Sequence, residues 1–394
     1  MSDAADEHVV HEAVGPALTG PEAAGALGVG VNSLLVLGVI PVLLGALVDE
    51  HRLTDPDIGL VVMIEVLSMG VATALAGALA RPRRLKTIGA VLTIALAAID
   101  FATAQTSGSG VFAMRGVAGA IEGLMLWITV AMIARTATPE RWAGVFFVAQ
   151  TLAQLLLALA LAVWIMPKWG ADGGFIAIAV CAVAALPAAL IGPSRLADLN
   201  PGEAVAGPPP FRGWIALIGT LIYVSGGGAV GAYLQPIAHE AGLDAGVART
   251  ALWVSLAAQV AGSAAATAMA GRIRWFTVFL IATTTSLVVW WLFALRMPAW
   301  LFVTANASVG LAGLFLAPFL VPMTIEADPS RRAAVQSGAA QLVGGALGPL
   351  LASRVVGDRD VHGALWLGAG LALSGLAVVA WLHYTHDRRE EAPT

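Results

Sequence analysis

The chain has 394 residues, of which 58% are hydrophobic and 12% charged, with a net charge of −4 and a mean hydropathy of +0.84. Soluble domains carry roughly 25% charged residues, so these proportions exclude a soluble globular protein and leave an all-α integral membrane protein that partners a lipid bilayer. The slight acidic excess, without a basic run, excludes nucleic acid as a partner.

The first 23 residues hold Asp3, Asp6, Glu7, Glu12 and Glu22 and no Lys or Arg. That is the reverse of a signal peptide, so segment 1–23 reads as an uncleaved cytoplasmic tail, in which His8 and His11 are solvated. Twelve apolar stretches follow, each long enough to cross a bilayer as a helix: 24–48, 58–80, 86–104, 110–134, 142–166, 173–192, 213–238, 248–270, 275–295, 300–325, 333–355 and 363–381. The polar segment 193–212, with Pro201, Pro208, Pro209 and Pro210, divides them into an N-terminal six-helix bundle (24–192) and a C-terminal one (213–381), and a tail (382–394) closes the chain. Fourteen Lys and Arg fall on the even-numbered connections and the C-terminal tail, and six on the odd-numbered ones. Both termini and the linker are therefore expected in the cytoplasm, with the chain in a plasma membrane, the inner one in a bacterium. Cys181 is the only cysteine, so no intrachain disulfide forms.

The two bundles repeat one another. Gly123 to Pro139 and Gly313 to Pro329 are equal intervals, Thr-Pro-Glu-Arg141 aligns with Asp-Pro-Ser-Arg331 at a shift of 190, and Leu53 meets Leu243 at the same shift. Parallel repeats of this kind are related by an axis along the membrane normal, and solute sites form between such halves near the midplane.

The fourth span carries Arg115 and Glu122, seven residues apart and so on one helix face with Gly119. A charge near the bilayer centre costs about 2.5 kcal/mol or more, so this face is expected to meet protein or a water-filled cavity. At about 1.5 Å per residue, Glu122 lies roughly 10 Å deeper than Arg115, while Asp100 in span three and Glu65 in span two reach the depth of Arg115. Glu122 is the candidate proton carrier, because desolvation penalises its charged form. Glu65 and Asp100 are candidate counter-ions or further proton sites, and Arg115 carries a planar fork that fits a carboxylate or phosphate.

Several segments resemble the major facilitator superfamily, and the resemblance covers essentially the whole chain. Gly77-Ala-Leu-Ala-Arg81-Pro-Arg83-Arg84-Leu-Lys86, between spans two and three, is similar to that superfamily's cytoplasmic loop motif but lacks the acidic residue expected after Ala80. Arg115-Gly-Val-Ala-Gly119 is similar to the fourth-span motif that antiporters of the family link to proton movement. The fifth-span Gly-Pro signature is missing, and Gly344-Gly-Ala-Leu-Gly348-Pro349 stands in the eleventh span instead. The resemblance implies twelve helices in two pseudo-symmetric six-helix bundles, with spans one, four, seven and ten lining a central cavity.

Polar residues that interrupt the spans are the candidate solute contacts: Asn32, Gln150, Gln154, Tyr223, Ser225, Tyr233, Gln235, Gln259, Asn306 and Gln341, together with Arg115. Each competes with a reading as interhelical glue. Ser225-Gly-Gly-Gly228 suits either a local bend or close packing against another helix. Trp142, Trp169, Trp214, Trp275, Trp300 and Trp381 fall near span ends as interfacial anchors, whereas Trp127, Trp253, Trp290 and Trp291 sit deeper and read mainly as lipid-facing. Asp49-Glu50 and His239-Glu240 occupy equivalent positions and read as solvated rims. No metal set, cofactor motif, His-Glu-x-x-His, Gly-x-Ser-x-Gly or nucleotide loop occurs, which argues against an enzyme or an ATP-driven pump. The expected function is secondary active transport of a small organic solute, anionic or amphipathic, by a proton-coupled monomer. The alternatives are drug or metabolite efflux by proton antiport, or a sensor built on a transporter fold.

Overall fold

The structure is a computed structural model that describes residues 14–199, 207–357 and 361–390. Segment 1–13, with its acidic residues, His8 and His11, lies outside the described residues, as does Pro201 of the linker.

The first span is α1 (Gly20–Leu34) and α2 (Ile40–Asp49), joined through a 3-10 turn at Val36–Gly38. Spans two to four are α3 (Asp55–Leu79), α4 (Leu85–Ala104) and α5 (Ser109–Ile133). The fifth, α6 (Pro139–Ala160), runs on through a π turn at Leu161–Ile165 into α7 (Met166–Ala184), where Gly170, in the left-handed region at φ 58°, makes the reversal to span six. The short α8 (Leu186–Ile191) completes that span. The C-terminal half comprises α9 (Phe211–Ala232), α10 (Leu234–Glu240), α11 (Ala245–Met269), α12 (Trp275–Phe293), α13 (Ala299–Leu316), α14 (Leu320–Ala327), α15 (Arg332–Ala352) and α16 (His362–Glu390). Among the described residues nine helical segments are long and apolar enough to cross a membrane, and one of them, Pro139–Ile191, has 53 residues and crosses twice. The broken first span and the Gly- and Ala-rich α15 bring the crossings to twelve.

Local chemistry sets the helix starts. The Asp57 carboxylate accepts from the N–H and hydroxyl of Thr54 at 2.9 and 2.7 Å before α3, and Asp244 accepts from Val247 N–H at 3.0 Å in α11. Gly108, at φ 53°, turns the chain into α5.

Helices α1–α8 and α9–α16 form two lobes that meet along α3 with α15 and along α6 with α11. The repeat inferred from sequence reappears in the bonding. The Glu50 carboxylate accepts from Ala171 N–H at 2.8 Å, and Glu240 accepts from Val361 N–H at 2.9 Å. Both residue pairs are related by the shift of 190. These two acids clamp span ends from the rim, Glu50 exposed and Glu240 half-buried; Glu50 also pairs with Arg52 at 3.2 Å and Glu240 lies 3.4 Å from His362 Nδ1. The linker is tied down where it leaves span six, with Leu85 N–H on Ser194 O at 3.0 Å, Leu196 N–H on Pro82 O at 2.9 Å, and Arg83 paired with Asp198 at 3.4 Å.

The three glycines after Ser225 do not bend α9, which is helical from Phe211 to Ala232. They serve packing. A Cβ on Gly226 would meet Gly368 O of α16 at 2.7 Å, one on Gly228 would meet Gly345 O of α15 at 3.0 Å, and one on Gly348 would run into Ser225 O. The deep tryptophans divide: Trp127 and Trp290 are buried inside their lobes, at 4% exposure each, which corrects the lipid-facing expectation, whereas Trp291 is 61% exposed.

One apolar core crosses the lobe boundary on the face where α1 begins and α16 ends: Val321 and Ile325 of α14 and Ala334 and Val335 of α15 join residues of α1, α3, α5 and α6. Toward the opposite face each lobe has its own core, and Trp253 of α11 packs against that of the N-terminal lobe.

Candidate functional site

α5 is the most enclosed spanning helix, with 72% of its most apolar stretch buried. Its close approach to α3 depends on two glycines. A Cβ on Gly119 would run into Glu65 O, and one on Gly123 would run into Met69 O. Between them Thr73 of α3 donates to Gly123 O at 2.9 Å. With no side chain at 119, the Arg115 and Glu65 side chains meet beside the contact.

Arg115 lies at the centre of a fully buried cluster. Its Nε donates to Glu65 Oε2 at 3.1 Å and its Nη2 to Glu65 Oε1, a bidentate fork. Its Nη1 donates to Asp100 Oδ1 of α4 at 2.6 Å, and Nη2 also lies 3.4 Å from Glu122 Oε1. Phe175 of α7 covers the guanidinium, with Cζ 6.0 Å from the ring centroid. Glu65, Arg115, Glu122 and Asp100 are 0%, 0%, 1% and 3% exposed. The second Glu122 oxygen, Oε2, is buried and finds no hydrogen-bond partner among the described residues.

All four intramembrane charges therefore meet, where depth counting brought three together. They do so inside the N-terminal lobe, enclosed by α3, α4, α5 and α7. The donors that a solute carboxylate would need on Arg115 are taken by Glu65 and Asp100. Phe175 is a member of the cluster that sequence reading missed, because an aromatic residue in an apolar span carries no distinguishing signal.

The uncharged candidates are dispersed. Asn32 is buried with Nδ2 unpartnered, and Gln150 is half-buried with Oε1 unpartnered among the described residues. Gln154 donates to Leu34 O at 2.5 Å and packs on Gly38, so it ties α6 to the break in the first span. In the C-terminal lobe, Ser225 donates to Leu221 O at 2.8 Å within its own helix, and Asn306 donates to Ala251 O at 3.0 Å between α13 and α11. Tyr223 lies against Phe279, with ring centroids 4.5 Å apart. Tyr233 sits half-buried at the break between α9 and α10, Gln235 is exposed, and Gln259 and Gln341 are half-buried.

The loop motif divides by role. Gly77 faces Gln336 of α15, whose Nε2 would lie 3.0 Å from an added Cβ; Arg81, Arg83 and Arg84 are exposed, and Lys86 is half-buried at the start of α4. Two contacts that sequence reading missed cross the lobe boundary nearby. Arg331 Nη1 donates to Ala134 O at 2.9 Å and to Thr136 O at 3.1 Å, and Gln336 Nε2 donates to Ala74 O at 3.1 Å. Neighbouring Arg135 donates to Ala197 O at 2.7 Å, and burial pushes its guanidinium down to about 10, with Arg331 adding to that and Asp198 opposing it.

No family model matches the chain, and no curated protein matches it by sequence. Solved structures do match. One is a crystal structure of a major facilitator superfamily transporter, FucP, in the outward conformation, with a TM-score of 0.71 and 12% identity over 91% of this chain and 98% of that one. Another is the human organic anion transporter MFSD10 (TETRAN), with a TM-score of 0.66 and 14% identity over 92% of this chain and 100% of that one. The chain has the major facilitator superfamily fold.

Proposed function

We propose that this chain, folded as major facilitator superfamily transporters are, is a secondary active transporter that moves a small organic solute by alternating access and couples it to protons bound in the Arg115 cluster. The observation that carries the reading is the cluster's charge count. One guanidinium faces three carboxylates, all within 3% of full burial. Fully ionised, it would leave two negative charges in excess where water does not reach, and burying unpaired charge is costly enough that such groups neutralise instead. The cluster is thus a place where protons bind and leave.

Glu122 is the member suited to exchange. Glu65 and Asp100 hold Arg115 directly, whereas Glu122 touches it at 3.4 Å and keeps one oxygen unpartnered. Arg115 acts as counter-ion in this conformation rather than as a solute clamp. Asn32 and Gln150, with unspent amide groups in spans one and five, are the leading solute contacts. The face where α1 begins and α16 ends is assigned to the cytoplasm on its Lys and Arg excess.

Organic-anion transport is a second reading, favoured by the likeness to MFSD10, an organic anion transporter. In it, Glu65 or Asp100 must leave Arg115 before a solute carboxylate arrives.

The test uses vesicles reconstituted with the protein and a trapped pH indicator, challenged with hexoses, polyols, nucleosides and mono- and dicarboxylates. At least one class is expected to evoke proton movement with the parent. Glu122→Gln is expected to lose that movement while retaining exchange of the same solute at equal concentrations. Parent-like proton movement in Glu122→Gln removes the coupling assignment.

A further inference from the structure

We propose that a cavity in the C-terminal lobe, on the face opposite the one where α1 begins, holds the headgroup of phosphatidylethanolamine, a zwitterion with a primary ammonium close to a phosphate. The cavity has a volume of about 360 Å³. It lies where α10 and α12 end and α16 begins, between Glu240, Phe293, Ala294, Arg296 and His362. Buried Ile237 and Leu365 give it an apolar wall.

The repeat accounts for this space. In the N-terminal lobe the equivalent residues surround a side chain, that of Arg52. Its Nη1 donates to Glu50 at 3.2 Å and Asp172 at 2.5 Å, and its Nη2 donates to Ala104 O and Thr106 O at 2.6 Å each and to Thr103 O at 3.4 Å. At the shift of 190 these partners become Glu240, His362, Ala294, Arg296 and Phe293, the same five residues that stand around the cavity. Arg52 itself becomes Gly242, which has no side chain to fill it. The cradle has been kept and its guanidinium removed.

What remains suits an ammonium on one side. Glu240 Oε1 accepts from Val361 N–H at 2.9 Å and Oε2 lies 3.4 Å from His362 Nδ1, and a carboxylate offers about four lone-pair sites, so it has capacity for further donors. The carbonyls that end α12, those of Phe293 and Ala294, lie at the negative end of the helix dipole without intrahelical donors. The other side has changed sign: Thr106 has given way to Arg296 and Asp172 to His362. A bare cation would therefore meet the Arg296 charge, whereas a ligand with an anion close to its ammonium satisfies both sides, the guanidinium fork taking the phosphate. The source is a lipid because the rim is at headgroup level. Arg296 is exposed, as are Leu295 of the rim and Trp300 at the start of α13, at 44% and 67%, and indoles at span ends anchor among headgroups. The site depends neither on the transporter reading nor on the Arg115 cluster.

The experiment is lipid titration of the delipidated full chain in detergent, read by native mass spectrometry, with phosphatidylethanolamine, phosphatidylcholine and phosphatidylglycerol of identical acyl chains. The parent is expected to take one phosphatidylethanolamine about tenfold more tightly than either of the others, because phosphatidylcholine has no N–H to donate and phosphatidylglycerol has no cation. Glu240→Gln, which keeps an acceptor for Val361 N–H, and Arg296→Gln, at an exposed position, should each reduce that preference to less than about twofold while phosphatidylcholine binds as it does to the parent. Equal binding of the three lipids by the parent overturns the proposal, and so does a preference that survives both substitutions. Glycerophosphoethanolamine, the same headgroup without chains, is added as a competitor at the lipid's concentration. Retention of the lipid supports the assignment, and its displacement overturns the lipid in favour of a free zwitterion. Should Glu240→Gln not accumulate, Arg296→Gln decides alone: a lost preference supports the site and a parent-like one overturns it.

Discussion

Arg115 spends its fork on two acids from two other helices, and the consequences of removing each member differ. Deleting the one cation leaves three buried carboxylates without a partner, and breaking a buried ionic network in this way costs about 3–5 kcal/mol. Arg115→Leu is therefore expected to lower stability by about that amount in denaturant unfolding in detergent, whereas Glu122→Gln, which removes excess negative charge, should change it by less than about 1 kcal/mol. Equal losses for the two would contradict the geometry described. Gly119→Ala belongs at this scale too: its Cβ would run into Glu65 O, and overpacking of this kind costs about 1–3 kcal/mol, read by the same unfolding. The shared face of Arg115 and Glu122 was legible from their spacing of seven. Their partners were not, because Glu65 is 50 residues and Asp100 15 residues from Arg115, and periodicity along one helix carries no information about which helix lies beside it.

At the scale of elements, the joint between α9 and its neighbours α15 and α16 is built from residues without side chains. Adjacent glycines in α9 should respond with opposite sign. Gly226→Ala pushes a Cβ to 2.7 Å from Gly368 O and should destabilise by about 1–3 kcal/mol, whereas Gly227 has open space around it, and Gly227→Ala should stabilise by about 0.5–1 kcal/mol through helix propensity. Thermal unfolding of the two variants checks the contrast. The glycine run was legible as special, and the choice between bend and packing was not, because both use the same missing Cβ. The broken spans follow a plainer rule. The first span breaks before a proline at the start of α2, and the tenth breaks into a 3-10 turn that contains Pro318, where a missing N–H interrupts the helical ladder.

The whole molecule is a repeat that has kept its frame and changed its contents. Glu50 and Glu240 make the same clamp in both lobes, yet at the shift of 190 the charged Glu65, Asp100, Arg115 and Glu122 give way to Ser255, Trp290, Ala305 and Ala312. The proton chemistry proposed is thus confined to one lobe. In the other, Ser255 hydroxyl donates to Asn306 O at 3.4 Å where the ion cluster would stand. Orientation is testable at this scale. Green fluorescent protein fused after Thr394 is expected to fluoresce, and alkaline phosphatase at the same point to stay inactive, if the Lys- and Arg-rich face is cytoplasmic. The reverse pattern would invert the assignment.

Composition and periodicity determined by themselves that this chain lives in a bilayer, that it crosses twelve times in two similar halves, and that Arg115 and Glu122 must be hidden from lipid, because hydrocarbon tolerates neither unpaired backbone nor unpaired charge. Only the tertiary structure decided that the hiding place is the interior of one lobe, that Glu65 and Asp100 fill the arginine fork, and that Arg331 reaches across the boundary to helix-end carbonyls. Those choices depend on how closely two helices approach and which turn faces which, and that is set by packing between segments tens to nearly two hundred residues apart.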